Sequence, residues 1–190
     1  VRDARPCEMH RPSFDGGEHI GGVLVGVARE RGERFHFADG AERMQAAAEP
    51  HDLITGGVES WATEPAFIDF LERDLRARLK NMPDRTRVVF TAHSLPSRIV
   101  ESGDPYPAQL RATAEAVAAR LGLDEGTGWE IAWQSAGRTP EPWLGPDILE
   151  VIDRLGADAA VDGALVCACG FVADHLAVLY DLDIEARRRA

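Results

Sequence analysis

The apolar positions of the chain change their spacing several times between residue 52 and the end of the sequence. Over residues 65–80 they recur every three or four positions, which predicts a helix, and Pro65 suits its first turn. The same spacing predicts further helices over 107–121, 146–155 and 174–188. Short apolar runs predict strands over 52–58, 87–92, 129–134 and 164–169.

Strands that alternate with helices predict βαβ units and a parallel sheet. The expected fold class is therefore α/β, a Rossmann-like three-layer domain with a short parallel sheet and helices on both faces. Right-handed crossovers place each loop that leads from a strand into a helix at one rim of such a sheet. Because ligands of open α/β sheets bind at that rim, the residues that follow the strands are the first candidates for a site.

Residues 1–50 lack this regularity, because glycines and charges interrupt the apolar positions and only 20–28 hints at a strand. We therefore predict a division of the chain into two parts. Residues 1–50 would be a divergent or poorly ordered lead-in, the remnant of a preceding domain, and residues 51–190 the α/β domain. A further hypothesis is that residues 1–45 derive from a shifted reading frame, which translation of the adjacent DNA in the other frames would test.

The composition narrows the classes of partner. A formal net charge of −11 and a pI near 5.0 argue against binding to nucleic acid or to an anionic membrane. No apolar run reaches the roughly 18 residues that a membrane span needs, and nothing near Val1 resembles a signal peptide. Three cysteines are too few, and oddly numbered, for a disulfide framework. These features predict a cytoplasmic protein without a transmembrane segment.

One histidine is distinguished by its place in the chain. His93 directly follows the apolar run 87–92 and begins a loop rich in proline and polar residues. Such a loop would hold an imidazole in place, and neutral imidazole is a suitable ligand for Fe(II). Insertion of a metal into another molecule needs a weak, open site that receives the ion and then releases it. The alternative for His93 is a structural role at a strand end.

Several short motifs occur in a specific order, although each alone is a weak signal. They are Ser60-Trp61, Pro65-Ala66-Phe67-Ile68, Thr91-Ala92-His93-Ser94-Leu95-Pro96, Gly103-Asp104-Pro105-Tyr106-Pro107, Trp133-Gln134-Ser135, Pro142-Trp143-Leu144-Gly145-Pro146 and Gly170-Phe171-Val172-Ala173-Asp174-His175-Leu176. Through them, residues 58–187 closely resemble the C-terminal half of the ferrochelatases, the enzymes that insert ferrous iron into a porphyrin in heme biosynthesis.

The resemblance implies roles for individual residues. His93 corresponds to the family's metal-binding histidine, and His175 to a histidine in the pocket that acts as a base. Ser94, Trp133 and Gln134 are expected to contact the porphyrin, although ordinary packing is the alternative for Trp133. Fe(II) and protoporphyrin or coproporphyrin are then substrates, and no resident cofactor is required.

The predicted last helix carries acidic residues along one side, at two of the three positions 177, 181 and 185. By the resemblance, Asp181 and Glu185 would bind the metal or provide a path for cations and protons. A solvated acidic face is the alternative. The first of the three positions is Ala177, where the family typically has a glutamate. The chain therefore departs from the family at an important acid.

Cys167 and Cys169 stand at the end of an apolar run without the four ligands of a usual metal site. Some ferrochelatases hold a two-iron two-sulfur cluster, but here buried, unreactive thiols are expected instead. Two other functions stay open: a chelatase for another tetrapyrrole or metal, and a truncated, non-catalytic remnant of a chelatase. A homodimer that rebuilds a porphyrin cleft is a further alternative.

Overall fold

The computed structural model describes residues 46–47, 49–51, 60–173 and 176–190. The chain divides into two compact units, one of which contains residues 62–190 and the other residues 13–61. One turn of 3-10 helix, Glu49–His51, is described in the second unit. The strands expected over 20–28 and 52–58 lie outside the described residues. The division of the chain between residues 50 and 51 stays a prediction.

A parallel sheet of three strands forms the centre of the unit that contains residues 62–190. The strands are β1 (Thr86–His93), β2 (Trp129–Gln134) and β3 (Gly163–Cys167), in the spatial order β2-β1-β3. In the register, His93 of β1 lies beside Gln134 of β2. The parallel sheet is confirmed, and β2 has the predicted bounds. The third strand ends earlier than predicted, because Cys169 already belongs to the turn that follows it.

Helices cover both faces of this sheet, which confirms the fold class. They are α1 (Pro65–Leu79), α2 (Arg98–Glu101), α3 (Tyr106–Leu121), α4 (Ile148–Ala157) and a terminal helix that begins at Leu176. The α3 helix ends at Gly122, whose φ of 70° gives the left-handed cap that the sequence predicts. None of the helices among the described residues is long and apolar enough to cross a lipid bilayer.

The start of α4 differs from the prediction. We expected the helix to open at Pro146, but it begins at Ile148. The carbonyl of Pro146 instead accepts a hydrogen bond from the amide of Trp133 at 2.9 Å, so this residue extends the edge of the sheet. Asp147 then caps the helix, since its carboxylate accepts from the Leu149 amide while the Glu150 carboxylate accepts from the Asp147 amide.

The terminal helix is not a regular α-helix. Its first turn, Leu176–Val178, and its last, Arg187–Arg189, are α-helical, but Leu179–Ala186 between them is a π-helix. Each amide of a π-helix bonds five residues back rather than four. Positions 181 and 185 therefore do not line up as the α-helical spacing predicts. Such wide turns are rare and are frequently found at functional sites.

The side chains of β1 show which helices His93 faces, because successive residues of a strand point to opposite faces. Val88, Phe90 and Ala92 pack in the hydrophobic cluster that α1 and α3 cover. Val89 packs in the other cluster, with α4 and the terminal helix. His93 shares the alternation of Val89 and therefore lies on the face of the terminal helix.

Candidate active site

His93 lies at the carboxyl end of the central strand, where the sequence predicts a ligand-binding residue. Its side chain is half-buried. The ring stands edge-on to that of Phe171, with 6.5 Å between the ring centroids and an angle of 87° between the planes. This contact favours one orientation of the imidazole, and the residue stays partly exposed, as a weak and open metal site requires.

A tyrosine that sequence reasoning did not single out holds the backbone of this histidine. The hydroxyl of Tyr106 donates a hydrogen bond to the carbonyl oxygen of His93 at 3.0 Å. The Asp104 carboxylate accepts a hydrogen bond from the Tyr106 amide at 2.9 Å, which fixes the start of α3. Burial raises the pKa of Tyr106 to about 12, so the hydroxyl keeps its proton and donates at neutral pH. In the sequence, only the short separation between His93 and the start of α3 pointed to a contact between His93 and Tyr106.

Ser94, which we expected to contact substrate, is buried and hydrogen-bonded within the protein. Its hydroxyl donates to the carbonyl of Leu144 at 2.8 Å, and its amide donates to the carbonyl of Gln134 at 2.7 Å. These two bonds join the loop after β1 to the last residue of β2 and to the loop that follows β2. The geometry gives Ser94 a positioning role, and its contact with a substrate stays a prediction.

Gln134 is fully buried beside His93 in the sheet register. The hydroxyl of Thr91 donates to its side-chain oxygen at 2.9 Å. Its side-chain nitrogen has no hydrogen-bond partner among the described residues, which is an unusual state for a buried donor. The amide therefore lies next to the predicted metal ligand with unused hydrogen-bonding capacity.

Trp133 lies on the other face of the sheet from His93. It pairs with Ala92 in the register and packs against Tyr106, with 5.7 Å between the ring centroids. Only 6% of its surface is exposed. The structure thus places Trp133 in the core, the alternative left open in the sequence analysis, and its contact with a porphyrin stays a prediction.

Asp181 connects the terminal helix to the loop after β2, because its carboxylate accepts a hydrogen bond from the hydroxyl of Ser135. Ser135 has a φ of 62°, a left-handed conformation that is uncommon outside glycine and costs about 1 kcal/mol or more. The residue adopts it directly after β2, which turns the chain toward the helix. Sequence reasoning gave Ser135 no separate role, since backbone strain leaves no trace in a hydrophobic pattern.

Asp181 and Glu185 belong to a wider region of negative charge. Burial raises the pKa of Asp147, and the charges of Glu150, Asp181 and Glu185 raise it further. Among the described residues, however, no three His, Cys, Asp or Glu side chains gather closely enough to hold a metal ion. His93, Asp181 and Glu185 therefore do not form one closed ligand set. An arrangement of this kind attracts cations without trapping them.

The turn that follows β3 fits closely against β1. The amide of Gly170 donates to the carbonyl of Thr91 at 3.0 Å, and a Cβ at this position would lie 2.7 Å from the Cα of Ala92. Only glycine therefore fits here without moving the backbone. Because Phe171 comes next, this contact also sets the ring that stands against His93.

The two cysteines near this turn are free and buried. The amide of Cys169 donates to the carbonyl of Cys167 at 2.8 Å, which closes a tight turn. The hydrogen bond with Cys169, together with burial, raises the pKa of the Cys167 thiol well above its usual value. Buried thiols with a raised pKa are poor nucleophiles and poor ligands.

Three residues near the start of the terminal helix have side chains outside the described part of the structure. His175, the expected base, and its neighbour Asp174 are not described, and neither is the side chain of Ala177. Their roles stay predictions. The described residues of the site come from the ends of β1 and β2, the turn after β3 and the terminal helix.

Comparison with known proteins gives consistent matches. The sequence model of the ferrochelatase family matches residues 38–190. A coproporphyrin III ferrochelatase of Geobacillus thermodenitrificans is 41% identical over 178 residues, which cover 90% of this chain and 55% of the relative. A ferrochelatase of Thermus thermophilus is 47% identical over 150 residues, which cover 77% of this chain and 45% of the relative. The chain spans about half the length of the curated relatives it matches.

Proposed function

Because the chain belongs to the ferrochelatase family, we propose that it inserts Fe(II) into a porphyrin in heme biosynthesis. Coproporphyrin III is the substrate favoured by the relatives, since most of those with the strongest similarity carry that name. Protoporphyrin IX is the second choice. The observation that carries the proposal is the position of His93, half-buried at the carboxyl end of β1 and facing the terminal helix.

In the proposed reaction, the imidazole of His93 is the transient ligand of the ferrous ion. A nitrogen ligand suits Fe(II), and a single protein ligand lets the ion move on to the porphyrin nitrogens. Phe171 beside the ring and Tyr106 behind the backbone hold the imidazole in one orientation. Positioning of this kind lowers the entropic part of the barrier to metal transfer.

Insertion also releases protons, because the porphyrin exchanges its pyrrole protons for one divalent ion. A base must accept each proton, and we assign this role to His175. Asp181 and Glu185 would attract Fe(II) and carry protons away along the π-helical segment. The hydrogen bond from Ser135 to Asp181 keeps that carboxylate at the end of the sheet.

The proposal also covers the location of the protein, its partners and its cofactors. We place the protein in the cytoplasm, with porphyrin and iron as substrates, no nucleic-acid partner and no resident cofactor. The buried Cys167 and Cys169 support the last point, since neither thiol is disposed to ligate a cluster. For the assembly, we propose a homodimer in which the two copies together complete a porphyrin cleft.

An anaerobic titration of the purified chain with coproporphyrin III tests the proposal. The Soret band should shift on binding, and addition of Fe(II) should then convert the free-base spectrum to that of the metalloporphyrin. Free-base spectra that stay unchanged after iron is added would contradict insertion. A chain that leaves the Soret band unmoved would contradict porphyrin binding as well.

A non-catalytic porphyrin-binding remnant is the second candidate. Ala177 favours it, because the family typically has a glutamate at that position. In the same titration this candidate predicts a Soret shift without conversion by iron. A related chelatase for another metal predicts conversion by Co(II) or Zn(II) in place of Fe(II).

A further inference from the structure

The loop between β2 and α4 is fixed by an aromatic side chain. The indole nitrogen of Trp143 donates to the hydroxyl of Thr139 at 2.9 Å. A methyl group on Gly137 would overlap the ring of Trp143, so the loop backbone rests directly on the indole. These contacts hold residues 137–143 in one conformation.

This loop belongs to the same rim as His93. It begins at Ser135, directly after the residue of β2 that pairs with His93, and Ser135 contacts the terminal helix through Asp181. Its far end is hydrogen-bonded to the loop after β1, since the Ser97 amide donates to the Pro142 carbonyl at 2.8 Å. The rigid loop therefore borders the candidate active site.

Arg138, at the centre of this loop, is an exposed cation. No carboxylate among the described residues lies within ion-pair distance of its guanidinium. The contrast is with Arg98 at the same rim, which forms an ion pair with Glu141. In a chain with a formal net charge of −11, Arg138 thus places a positive charge without a described acidic partner at the rim that holds His93.

We propose that Arg138 binds a peripheral carboxylate of the tetrapyrrole and so helps to select acidic porphyrins. This inference rests on the proposed function. Coproporphyrin carries carboxylates on flexible arms around an apolar ring, and a guanidinium binds a carboxylate through two parallel hydrogen bonds. The contacts of the loop hold its backbone near Arg138, so binding does not have to order the loop as well as the arginine side chain.

Porphyrin titrations at low ionic strength test this role, with Arg73→Ala as the matched control. Arg73 is also exposed and without an acidic partner among the described residues, but it lies on α1, across the sheet from His93. Arg138→Ala should weaken coproporphyrin III binding by about threefold to tenfold. Arg138→Lys should lose less, and Arg73→Ala should bind like the parent chain.

Two further measurements separate a charge contact from a change in loop structure. The difference between Arg138→Ala and the parent should shrink as salt is added, because exposed ion pairs are screened. It should also vanish for the tetramethyl ester of coproporphyrin, which has no carboxylate, measured in nonionic detergent. Equal losses for the acid and the ester would overturn the proposal.

The outcomes distinguish this inference from the proposed function. If the parent chain binds coproporphyrin and Arg138→Ala binds it equally well, the role of Arg138 is wrong while the function stands. If the parent chain binds no porphyrin under any condition, the function fails and the role of Arg138 fails with it.

Discussion

The hydroxyl of Tyr106 donates a hydrogen bond to the carbonyl oxygen of His93, over 3.0 Å. The bond joins the first turn of α3 to the last residue of β1 and fixes the backbone from which the imidazole projects. Tyr106→Phe keeps the ring and its packing against Trp133 while it removes this bond. We expect a loss of about 1 kcal/mol in unfolding free energy and a lower rate of iron insertion.

The rate effect separates positioning from stability. At a temperature where both proteins are fully folded, Tyr106→Phe should insert iron more slowly and bind porphyrin with unchanged affinity. An insertion rate equal to that of the parent chain would show that the hydrogen bond serves stability alone.

The same tyrosine gives a pH dependence of stability. Its pKa is about 12 in the folded protein, against about 10 for an unperturbed tyrosine. The folded state thus holds the proton at higher pH than the unfolded state. The contribution to stability is complete below pH 10 and is lost as the pH rises toward 12. Partial exposure limits it to about 1–2 kcal/mol.

Urea unfolding of the parent chain and of Tyr106→Phe at pH 9 and at pH 11.5 measures this effect. The parent should lose more stability between the two conditions than the variant does. Identical losses would mean that the hydroxyl does not titrate differently in the folded and unfolded states.

Gly170 tests the close contact between the turn after β3 and β1. A Cβ there would lie 2.7 Å from the Cα of Ala92, so Gly170→Ala forces the backbone apart. We expect a loss of about 2–3 kcal/mol, measured by urea unfolding. Gly156→Ala is the matched control, because that glycine lies in α4 with open space around it. It should be neutral or gain about 0.5–1 kcal/mol. A Gly170→Ala variant as stable as the control would contradict the packing described.

Ala177→Glu tests whether the missing acid limits activity. The substitution places a carboxylate in the first turn of the terminal helix, where the family typically has one. An increase in iron insertion over the parent chain would identify a disabled enzyme. Leu176→Glu is the control, since this neighbouring side chain is 79% exposed and adds the same charge. No increase, in a variant that still shifts the Soret band on binding porphyrin, would support the non-catalytic remnant.

Most of the fold could be predicted, because the spacing of the apolar residues indicates which segments are helices and which are strands. The runs that became β1 and β2 are short and mostly apolar, and the predicted three- and four-residue spacing is that of α1 and α3. The family membership was also confirmed. The predicted start of α4 was wrong, because the carbonyl of Pro146 bonds to the amide of Trp133, which is distant in the sequence. The π-helical turns were not predicted, because the apolar residues of this segment were also compatible with an α-helix.

The candidate site was less predictable than the fold. His93 could be found, because a strand end is visible in the sequence. The orientation of Trp133 depends on its register with Ala92, which a single sequence does not contain. The contacts of Tyr106 and Ser135 likewise arise between segments far apart in the chain.

The role of His93 as the metal ligand is tested most directly by the anaerobic rate of Fe(II) insertion into coproporphyrin III, measured for the parent chain, His93→Ala and His51→Ala. His51 is an exposed histidine outside the α/β unit and serves as the control. If His93 is the metal ligand, His93→Ala still binds the porphyrin but loses insertion, whereas His51→Ala matches the parent. Insertion by His93→Ala at the parent rate would contradict the assignment of this imidazole as the metal ligand.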